Sequence, residues 1–244
     1  MFFDDYPAFC TPGSTAASPR RLNLRHQAMI EANRDVLAGA RVLDLASHDG
    51  RWTFAAHKAG ARHVTGIEAR PELVESARSN FASYRVPEDQ YRFVQGDLFA
   101  ALRQEHFDVD VVLCLGFIYH TLRYGELFSA IAATGASYCI LDTKVLVHDE
   151  PMISLMSNRT GRQANAADDE HSRDGLTLAG YPSPAALDLM LDVYGYDVEE
   201  RFDWAGLLAG APGSKGLSGY STGERVTLRA VSRTAGGSPR AQAR

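Results

Sequence analysis

A regular alternation of apolar and amphipathic segments between residues 41 and 143 most constrains the fold of this chain. The apolar segments predict five strands, at 41–46, 63–67, 91–95, 109–115 and 137–143. The segments between them have helical spacing and predict helices at 51–59, 71–84, 99–103 and 122–134. Such an alternation predicts a parallel sheet that right-handed crossover helices wrap on both faces.

The alternation ends near residue 143, and the remaining chain predicts three further features. The polar stretch at about 148–180 is predicted to be a lid inserted into the domain. Segments 198–204 and 225–232 are predicted to pair as an antiparallel hairpin that completes a seven-stranded sheet, and a helix is expected at 184–194 between lid and hairpin. We therefore expect an N-terminal arm and helix over 1–39, one domain over 40–234, and a disordered tail over 235–244.

Composition excludes several classes of protein. The net charge of −5 argues against nucleic-acid binding through bulk positive charge. It does not exclude binding through a local stripe of basic residues. No apolar run reaches the roughly 18–20 residues of a membrane span. The odd number of cysteines, Cys10, Cys114 and Cys139, predicts buried free thiols in a reducing cytoplasm. The sequence leaves open whether the protein forms a homo-oligomer.

The strongest chemical motif is the loop after the first strand, Asp44-Leu45-Ala46-Ser47-His48-Asp49-Gly50. Ligands of open parallel sheets bind beyond the carboxyl ends of the strands, where the strand order reverses. Glu68 ends the second strand. A carboxylate at this position accepts hydrogen bonds from the two hydroxyls of an adenosine ribose. Asp97 follows the third strand and is placed to accept a hydrogen bond from the exocyclic amine of adenine.

Charge distinguishes two cofactors that fit this outline. A dinucleotide would bring a pyrophosphate to the first loop, where glycines and bare backbone donors are expected. The loop instead carries Asp44 and Asp49, which would repel it. The ammonium and sulfonium of S-adenosylmethionine are attracted by carboxylates, so this methyl donor is the predicted cofactor.

The loop with Asp44, Glu68, Asp97 and the strand at 110–115 resemble the successive motifs of class I S-adenosylmethionine-dependent methyltransferases. The resemblance covers about residues 40–145 and implies a Rossmann-like, doubly wound α/β fold. It implies the following cofactor-binding residues: Asp44, Ala46, His48, Gly50, Glu68, Ala69, Asp97, Leu98 and Leu115. One departure matters, because Ala46 and His48 replace the first two glycines of the family's Asp-x-Gly-x-Gly-x-Gly loop. Either the loop is displaced or His48 contacts the cofactor.

Two narrower resemblances concern the acceptor. The turn Gly116-Phe117-Ile118-Tyr119-His120 and the acidic end of the fifth strand are similar to those of wobble-uridine carboxymethyl-transferring tRNA enzymes and their relatives. The layout is also similar to that of bacterial sugar O-methyltransferases, including mannoside 1-O-methyltransferases. The first resemblance covers about forty residues, and no single residue is diagnostic of the second.

Activation of an acceptor hydroxyl calls for a base or a metal ion. His120 follows the fourth strand and His148 the fifth, and Asp149 beside His148 would raise its pKa. The alternative is a Mg²⁺ ion held by Asp142, Asp169 and Glu170, which would polarise a diol.

The leading function hypothesis is O-methylation of a small polar acceptor, with a sugar as the expected class. Four aromatic residues would suit carbohydrate faces: Trp52, Tyr119, Trp204 and Tyr220. One alternative is a tRNA-modifying transferase, which the net charge of −5 and the lack of an appended basic domain make a weaker hypothesis. Another is a non-catalytic module that binds S-adenosylmethionine.

Overall fold

The computed structural model of this chain describes residues 1–10, 18–211 and 216–234. Its main sheet has seven strands in the order β3-β2-β1-β4-β5-β9-β8. The strands of this sheet are β1 (Arg41–Leu45), β2 (His63–Glu68), β3 (Tyr91–Gln95), β4 (Val111–Leu115), β5 (Tyr138–Lys144), β8 (Tyr196–Arg201) and β9 (Arg225–Ser232). The first five strands pair in parallel, and β9 pairs antiparallel with both β5 and β8. The predicted Rossmann-like, doubly wound α/β sheet with its terminal antiparallel hairpin is confirmed.

Helices cover both faces of the sheet. They are α1 (Pro19–Met29), α2 (Arg34–Leu37), α3 (Arg51–Lys58), α4 (Pro71–Ser83), α5 (Leu98–Gln104), α6 (Tyr124–Ala133), α7 (Pro184–Val193), α8 (Trp204–Ala209) and α9 (Ser218–Ser221). Two apolar cores result, one on each face, and β1 and β4 contribute side chains to both. The order reverses between β1 and β4, so the carboxyl ends of these strands form the crevice in which ligands of such sheets bind.

The single helix expected within residues 1–39 is interrupted. Helix α1 ends at Met29, and a turn of 3-10 helix precedes α2. The side-chain amide of Asn33 causes this break, because it donates hydrogen bonds to the carbonyls of Met29 at 3.1 Å and Ala28 at 3.4 Å. The Asn33 side chain therefore caps the C-terminus of α1.

The N-terminal arm is packed into the protein over the ten residues that are described. Phe3 and Phe9 are fully buried, and Phe9 lies against Phe54 of α3 with ring centroids 5.1 Å apart. The Phe3 N–H donates to the side-chain carbonyl of Asn23 in α1 at 2.7 Å. The arm thus closes one face of the domain, although its sequence reads as irregular.

The segment predicted to be a polar lid contains regular structure. Strands β6 (Ile153–Arg159) and β7 (Leu176–Pro182) form a separate two-stranded antiparallel sheet, which we call the ribbon. The connecting segment, residues 160–175, is the ribbon loop. The prediction missed both strands because every second residue of β6 is exposed, including Ile153 and Leu155, which hides the usual apolar–polar alternation.

Other expectations are met only in part. Cys114 and Cys139 are fully buried free thiols, and Cys10 is a half-buried one. The predicted disordered tail over 235–244 lies outside the described residues. In the part of the chain that is described, none of the helices has the length and apolar character needed to span a membrane.

Candidate functional site

A cavity of about 710 Å³ opens where the carboxyl ends of β1, β2 and β4 meet. This volume lies within the ~300–1,000 Å³ typical of small-ligand pockets. Residues 163–167 of the ribbon loop and Thr177 and Leu178 of β7 form its outer wall. Most predicted cofactor-binding residues line it: Ala46, His48, Glu68, Ala69, Asp97, Leu98 and Leu115. The sheet topology therefore brings these residues together from the carboxyl ends of four strands, β1 to β4.

Glu68 is the best-defined group in the cavity. Its side chain is buried, and its Oε2 accepts a hydrogen bond from the His48 N–H at 2.9 Å. Its Oε1 accepts one from the Arg70 N–H, also at 2.9 Å. Because a carboxylate has about four acceptor positions, each oxygen keeps one for a ligand hydroxyl. The position and remaining acceptor capacity of Glu68 fit a ribose diol.

The first loop has a left-handed backbone at Ala46 and His48, the two positions where the family motif has glycine. Ala46 has a φ of 55°, His48 a φ of 54° and Gly50 a φ of 77°. Left-handed conformations cost a non-glycine residue about 1–2 kcal/mol, so the surrounding structure must hold them. Of the two outcomes expected for this loop, the structure supports the second to the extent that His48 lines the cavity.

The charges of the first loop differ from those expected. The Arg51 guanidinium binds the Asp49 carboxylate in a bidentate pair at 2.7 and 2.6 Å. Burial acts to raise the pKa of Asp49, but hydrogen bonds from His48 and Arg51 outweigh it and hold the pKa at about 2. Asp49 is thus a compensated charge, and its repulsion of a pyrophosphate is weaker than the sequence suggested.

Asp44 lies behind the loop and not in the cavity wall. Its carboxyl group is 1% exposed and accepts a hydrogen bond from the Thr53 hydroxyl at 2.6 Å. Burial raises its pKa to about 7 against the opposing effect of that hydrogen bond. The expectation of direct contact between Asp44 and the cofactor is therefore corrected: the residue joins β1 to α3. Gly50 likewise does not line the cavity, since it begins α3 against Ala77 and Phe93.

Asp97 occupies two roles at the end of β3. Its Oδ1 accepts a hydrogen bond from the Ala100 N–H at 2.8 Å and so caps the N-terminus of α5. The same carboxylate lines the cavity beside apolar side chains that the sequence analysis did not single out: Ile67, Leu73, Phe99 and Phe117. A hydrogen-bond acceptor at the edge of an apolar part of the cavity suits a planar nucleobase, whose faces are apolar and whose edge carries donors.

His120 lies in the cavity wall in the 3-10 turn after β4. Its Nδ1 is 3.3 Å from the side-chain nitrogen of Asn158 in β6, so the ribbon contacts the predicted catalytic residue. Burial lowers the pKa of His120 to about 4, and the positive charges of Lys144 and Arg225 add to this effect. The imidazole is therefore neutral near pH 7 and able to accept a hydrogen bond.

The structure does not place His148 in the cavity. Its side chain is exposed, and its Nδ1 accepts a hydrogen bond from the Glu150 N–H at 3.0 Å. The carboxylate of Asp142, which lies on β5 and precedes His148 in the chain, is fully buried and bound elsewhere. Position along the strand could not distinguish the two histidines, because the chain turns away after β5.

The predicted metal site does not form. Asp142 Oδ1 accepts hydrogen bonds from Arg25 at 3.1 Å and from Arg225 at 2.7 Å. Its Oδ2 accepts from the hydroxyls of Tyr220 at 2.8 Å and Thr227 at 2.7 Å. Burial acts to raise the pKa of Asp142, and the two arginines lower it further than burial raises it. All four acceptor positions are used within the protein.

The other two predicted metal ligands lie on the ribbon loop. Asp169 pairs with the Arg123 guanidinium at 3.3 Å, and Glu170 pairs with the same group at 3.6 Å. Only Asp169 lines the cavity. Residues 1–10, 18–211 and 216–234 contain no group of three or more His, Cys, Asp or Glu side chains that could hold a metal ion. The three carboxylates are therefore assigned to ion pairs.

The arginines of the site were not predicted from the sequence. Six of them line the cavity: Arg21, Arg25, Arg51, Arg70, Arg123 and Arg225. One signal was available, because Arg21 and Arg25 lie four residues apart and therefore on one face of α1. Of the four aromatic residues expected at a sugar site, Trp52 and Tyr119 line the cavity. Trp204 and Tyr220 instead stack on each other in the core, with centroids 3.6 Å apart.

Residues 42–135 match the model of a protein family described as a methyltransferase domain. The matched segment runs from β1 to the end of α6 and includes the first loop, Glu68, Asp97 and His120.

Several solved structures share the fold at low sequence identity. An S-adenosylmethionine-dependent methyltransferase from Mesorhizobium loti has a TM-score of 0.58 at 15% identity, covering 85% of this chain and 99% of that one. The magnesium protoporphyrin IX methyltransferase of Synechocystis, with S-adenosylhomocysteine bound, gives 0.58 at 17% identity, covering 95% and 94%. The N-terminal domain of EvdMO1, determined in the presence of S-adenosylhomocysteine and D-fucose, gives 0.57 at 16% identity, covering 91% and 99%.

One curated protein matches in sequence. It comes from Methanocaldococcus jannaschii, is provisionally described as a ribosomal RNA large subunit methyltransferase, and is 27% identical over 88 residues. The match spans 34% of this chain and only 23% of that protein. The family match identifies a methyltransferase domain over residues 42–135, as expected, and the solved structures show the expected fold. They do not extend to an acceptor.

Proposed function

We propose that this chain, an S-adenosylmethionine-dependent methyltransferase by its domain and fold, methylates an oxygen atom of a small polar acceptor that binds under the ribbon loop. The observation that carries the proposal is the enclosure of the cavity, whose wall joins the Glu68 end to His120 and the ribbon loop. When bound, the cofactor supplies a methyl group on a positively charged sulfur. The remaining work belongs to the protein, which must align the acceptor and exclude water.

Glu68 is assigned to the ribose hydroxyls and Asp97 to the adenine amine, with Leu98 and Phe99 beside the base. His120 is assigned to the acceptor, whose hydroxyl would donate a hydrogen bond to the neutral imidazole. The positive charges of Lys144 and Arg225 oppose an imidazolium at this position. His120 therefore acts in this proposal chiefly by orienting the acceptor oxygen, and the hydroxyl proton is released to solvent once the oxygen has gained the methyl group.

A sugar hydroxyl is the acceptor class that we favour. Two aromatic side chains, Trp52 and Tyr119, line the cavity, and the structure of the N-terminal domain of EvdMO1 was determined in the presence of D-fucose. A ribosomal or transfer RNA nucleotide is the second candidate, because the M. jannaschii relative carries an RNA methyltransferase description. Only a nucleotide extruded from its stack would enter the cavity.

A methyl-transfer screen tests the proposal. Tritiated S-adenosylmethionine is supplied with monosaccharides, small phenols and tRNA, and each reaction is run with wild-type protein and with Glu68→Ala. We expect transfer to a sugar that the Glu68→Ala protein loses, since each charge-assisted hydrogen bond contributes roughly 1.5–3 kcal/mol. Transfer to RNA alone would select the second candidate, and cofactor binding without transfer to any acceptor class would contradict the proposal.

The same assay separates the two histidines. His120→Gln keeps a hydrogen-bonding side chain, so we expect it to retain turnover within about tenfold if His120 orients the acceptor. A general base contributes on the order of 10²–10⁴-fold, and a loss of that size in His120→Gln would assign the base role to it. His148→Gln serves as the matched control, because the exposed His148 side chain lies outside the cavity wall.

A further inference from the structure

Three arginine side chains, Arg21, Arg25 and Arg225, line one end of the cavity, and we call them the arginine cluster. Arg21 and Arg25 lie one turn apart on α1, and Arg225 begins β9. The cluster lies close to the end of β4, because a Cβ atom built on Gly116 would be 3.5 Å from Arg225 Nη2. It therefore faces the part of the cavity where methyl transfer would occur and not the ribose position at the end of β2.

The cluster has more positive charge than the protein compensates. The buried Asp142 carboxylate pairs with Arg25 at 3.1 Å and with Arg225 at 2.7 Å. Its second oxygen accepts hydrogen bonds from Tyr220 and Thr227, so it has no position left for a third arginine. One carboxylate thus serves two guanidinium groups while a third lies beside them.

Arg21 is that third group. Within the described part of the chain, its guanidinium donates a hydrogen bond from Nε to the Gly216 carbonyl at 2.9 Å, and a carbonyl carries no formal charge. Burial lowers the pKa of Arg21 to about 10, and the neighbouring charge of Arg25 adds to the effect. The folded protein therefore holds a positive charge in an unfavourable place, which a negatively charged ligand would compensate.

We propose that the arginine cluster is a carboxylate-binding subsite, with Arg21 as the group that the ligand carboxylate contacts. Guanidinium groups bind carboxylates through planar, charge-assisted pairs of hydrogen bonds. The inference rests on the proposed function, which places S-adenosylmethionine in the same cavity. Two ligands carry the required chemistry: the amino-acid half of the cofactor and an acceptor that bears a carboxylate.

Binding measurements on Arg21→Gln distinguish the two sources. S-adenosylhomocysteine has the amino-acid carboxylate, whereas 5′-methylthioadenosine lacks it, and both are titrated into the protein by calorimetry. If the carboxylate belongs to the cofactor, Arg21→Gln weakens S-adenosylhomocysteine binding by roughly tenfold or more and leaves 5′-methylthioadenosine binding within about twofold. Arg20→Gln is the matched control, because Arg20 is its exposed neighbour on the same helix turn.

A second measurement tests the acceptor as the source. The thermal midpoint is recorded at saturating S-adenosylhomocysteine with and without acetate, succinate or benzoate. If an acceptor supplies the carboxylate, one of these ions raises the midpoint of the wild-type and Arg20→Gln proteins and not that of Arg21→Gln. If Arg21→Gln matches wild type in both measurements, the subsite is refuted while the cofactor assignment stands. Failure of wild type to bind S-adenosylhomocysteine would refute the proposed function together with the subsite.

The ligand-free midpoint shows whether Arg21 is merely structural. Removing a positive charge from beside Arg25 should leave the midpoint of ligand-free Arg21→Gln equal to or above that of wild type. A residue that serves ligand binding at the expense of stability lowers the thermal midpoint of the ligand-free protein in this way. A lower midpoint in the ligand-free variant, together with weaker binding of both nucleosides, would overturn the proposal.

Discussion

Asp44 is a carboxyl group that the fold removes from water. It is 1% exposed, it accepts one hydrogen bond from Thr53, and burial raises its pKa to about 7. The folded protein therefore binds a proton at Asp44 more tightly than the unfolded chain does. The stabilisation that this gives is complete below the unfolded pKa near 3.8 and is lost as the pH rises through about 7.

We predict that Asp44→Asn removes this pH dependence. Between pH 5 and pH 7 the wild-type free energy of unfolding should fall relative to that of the variant by up to about 1.4 kcal/mol per pH unit. Urea denaturation of both proteins at several pH values measures the difference. Asp89→Asn, at an exposed position, should give a difference that does not vary with pH. A constant difference for Asp44→Asn as well would show that Asp44 stays ionised.

Single residues divide clearly into those that sequence could identify and those that it could not. Glu68 and Asp97 were predictable because strand ends in a parallel sheet fix where their side chains meet. Asp142 was mistaken for a metal ligand because its partners, Arg25 and Arg225, lie 117 and 83 residues away in the chain. Such pairings depend on how α1 and β9 pack against β5, which local spacing does not encode.

Arg70 is one of the side chains that attach the ribbon loop to the domain. Arg70 Nη2 donates hydrogen bonds to the carbonyl of Thr160 at 2.6 Å and to that of Arg162 at 3.1 Å. The Arg70 N–H meanwhile donates to Glu68. Arg70 therefore links the position of the ribbon loop to the carboxylate assigned to the cofactor.

We predict that Arg70→Met loosens the ribbon loop. Hydrogen bonds from a charged group contribute about 1.5–3 kcal/mol, so the population of open loops should rise roughly tenfold. Limited trypsin digestion should then cut faster after Arg159, Arg162 or Arg173, and S-adenosylhomocysteine should slow the cutting of the wild-type protein. Arg78→Met, at an exposed position of α4, is the control. Cutting at the wild-type rate in Arg70→Met would show that other contacts hold the loop.

The elements of the main sheet were predictable from sequence, whereas the ribbon was not. Strands β1, β4 and β5 are largely buried, so β4 is wholly apolar and most residues of β1 and β5 are apolar. In β6 and β7 the apolar side chains of Leu155 and Leu178 are 63% and 56% exposed. Burial creates the apolar pattern on which strand prediction depends, and the ribbon has little of it.

The whole molecule is closed by its N-terminal arm. The Phe3 ring is fully buried and meets the Trp52 ring edge-on, with centroids 5.5 Å apart. Trp52 in turn lines the cavity. The arm was expected to be irregular because its prolines break any periodic pattern, and only the packed fold reveals its contribution to the core.

We predict that Phe3→Ala is as damaging as a substitution in the centre of the sheet. Truncation of a buried phenylalanine costs about 3–5 kcal/mol, through lost burial and the cavity left behind. Urea denaturation measures this loss. Val193→Ala, at a side chain that is 66% exposed, should stay within about 0.5 kcal/mol of wild type. A cost below about 1 kcal/mol for Phe3→Ala would show that the arm is detached in solution.

The left-handed residues of the first loop bear on how such proteins are recognised. Ala46 and His48 hold the left-handed backbone that glycine adopts most readily, so in this chain the turn is defined by its conformation and not by its glycines. A search that spells out the glycines would pass over this chain, whereas a search on backbone angles would retain it. Proteins that evolve a bulkier residue in this turn can thus diverge beyond motif recognition while the turn itself is unchanged.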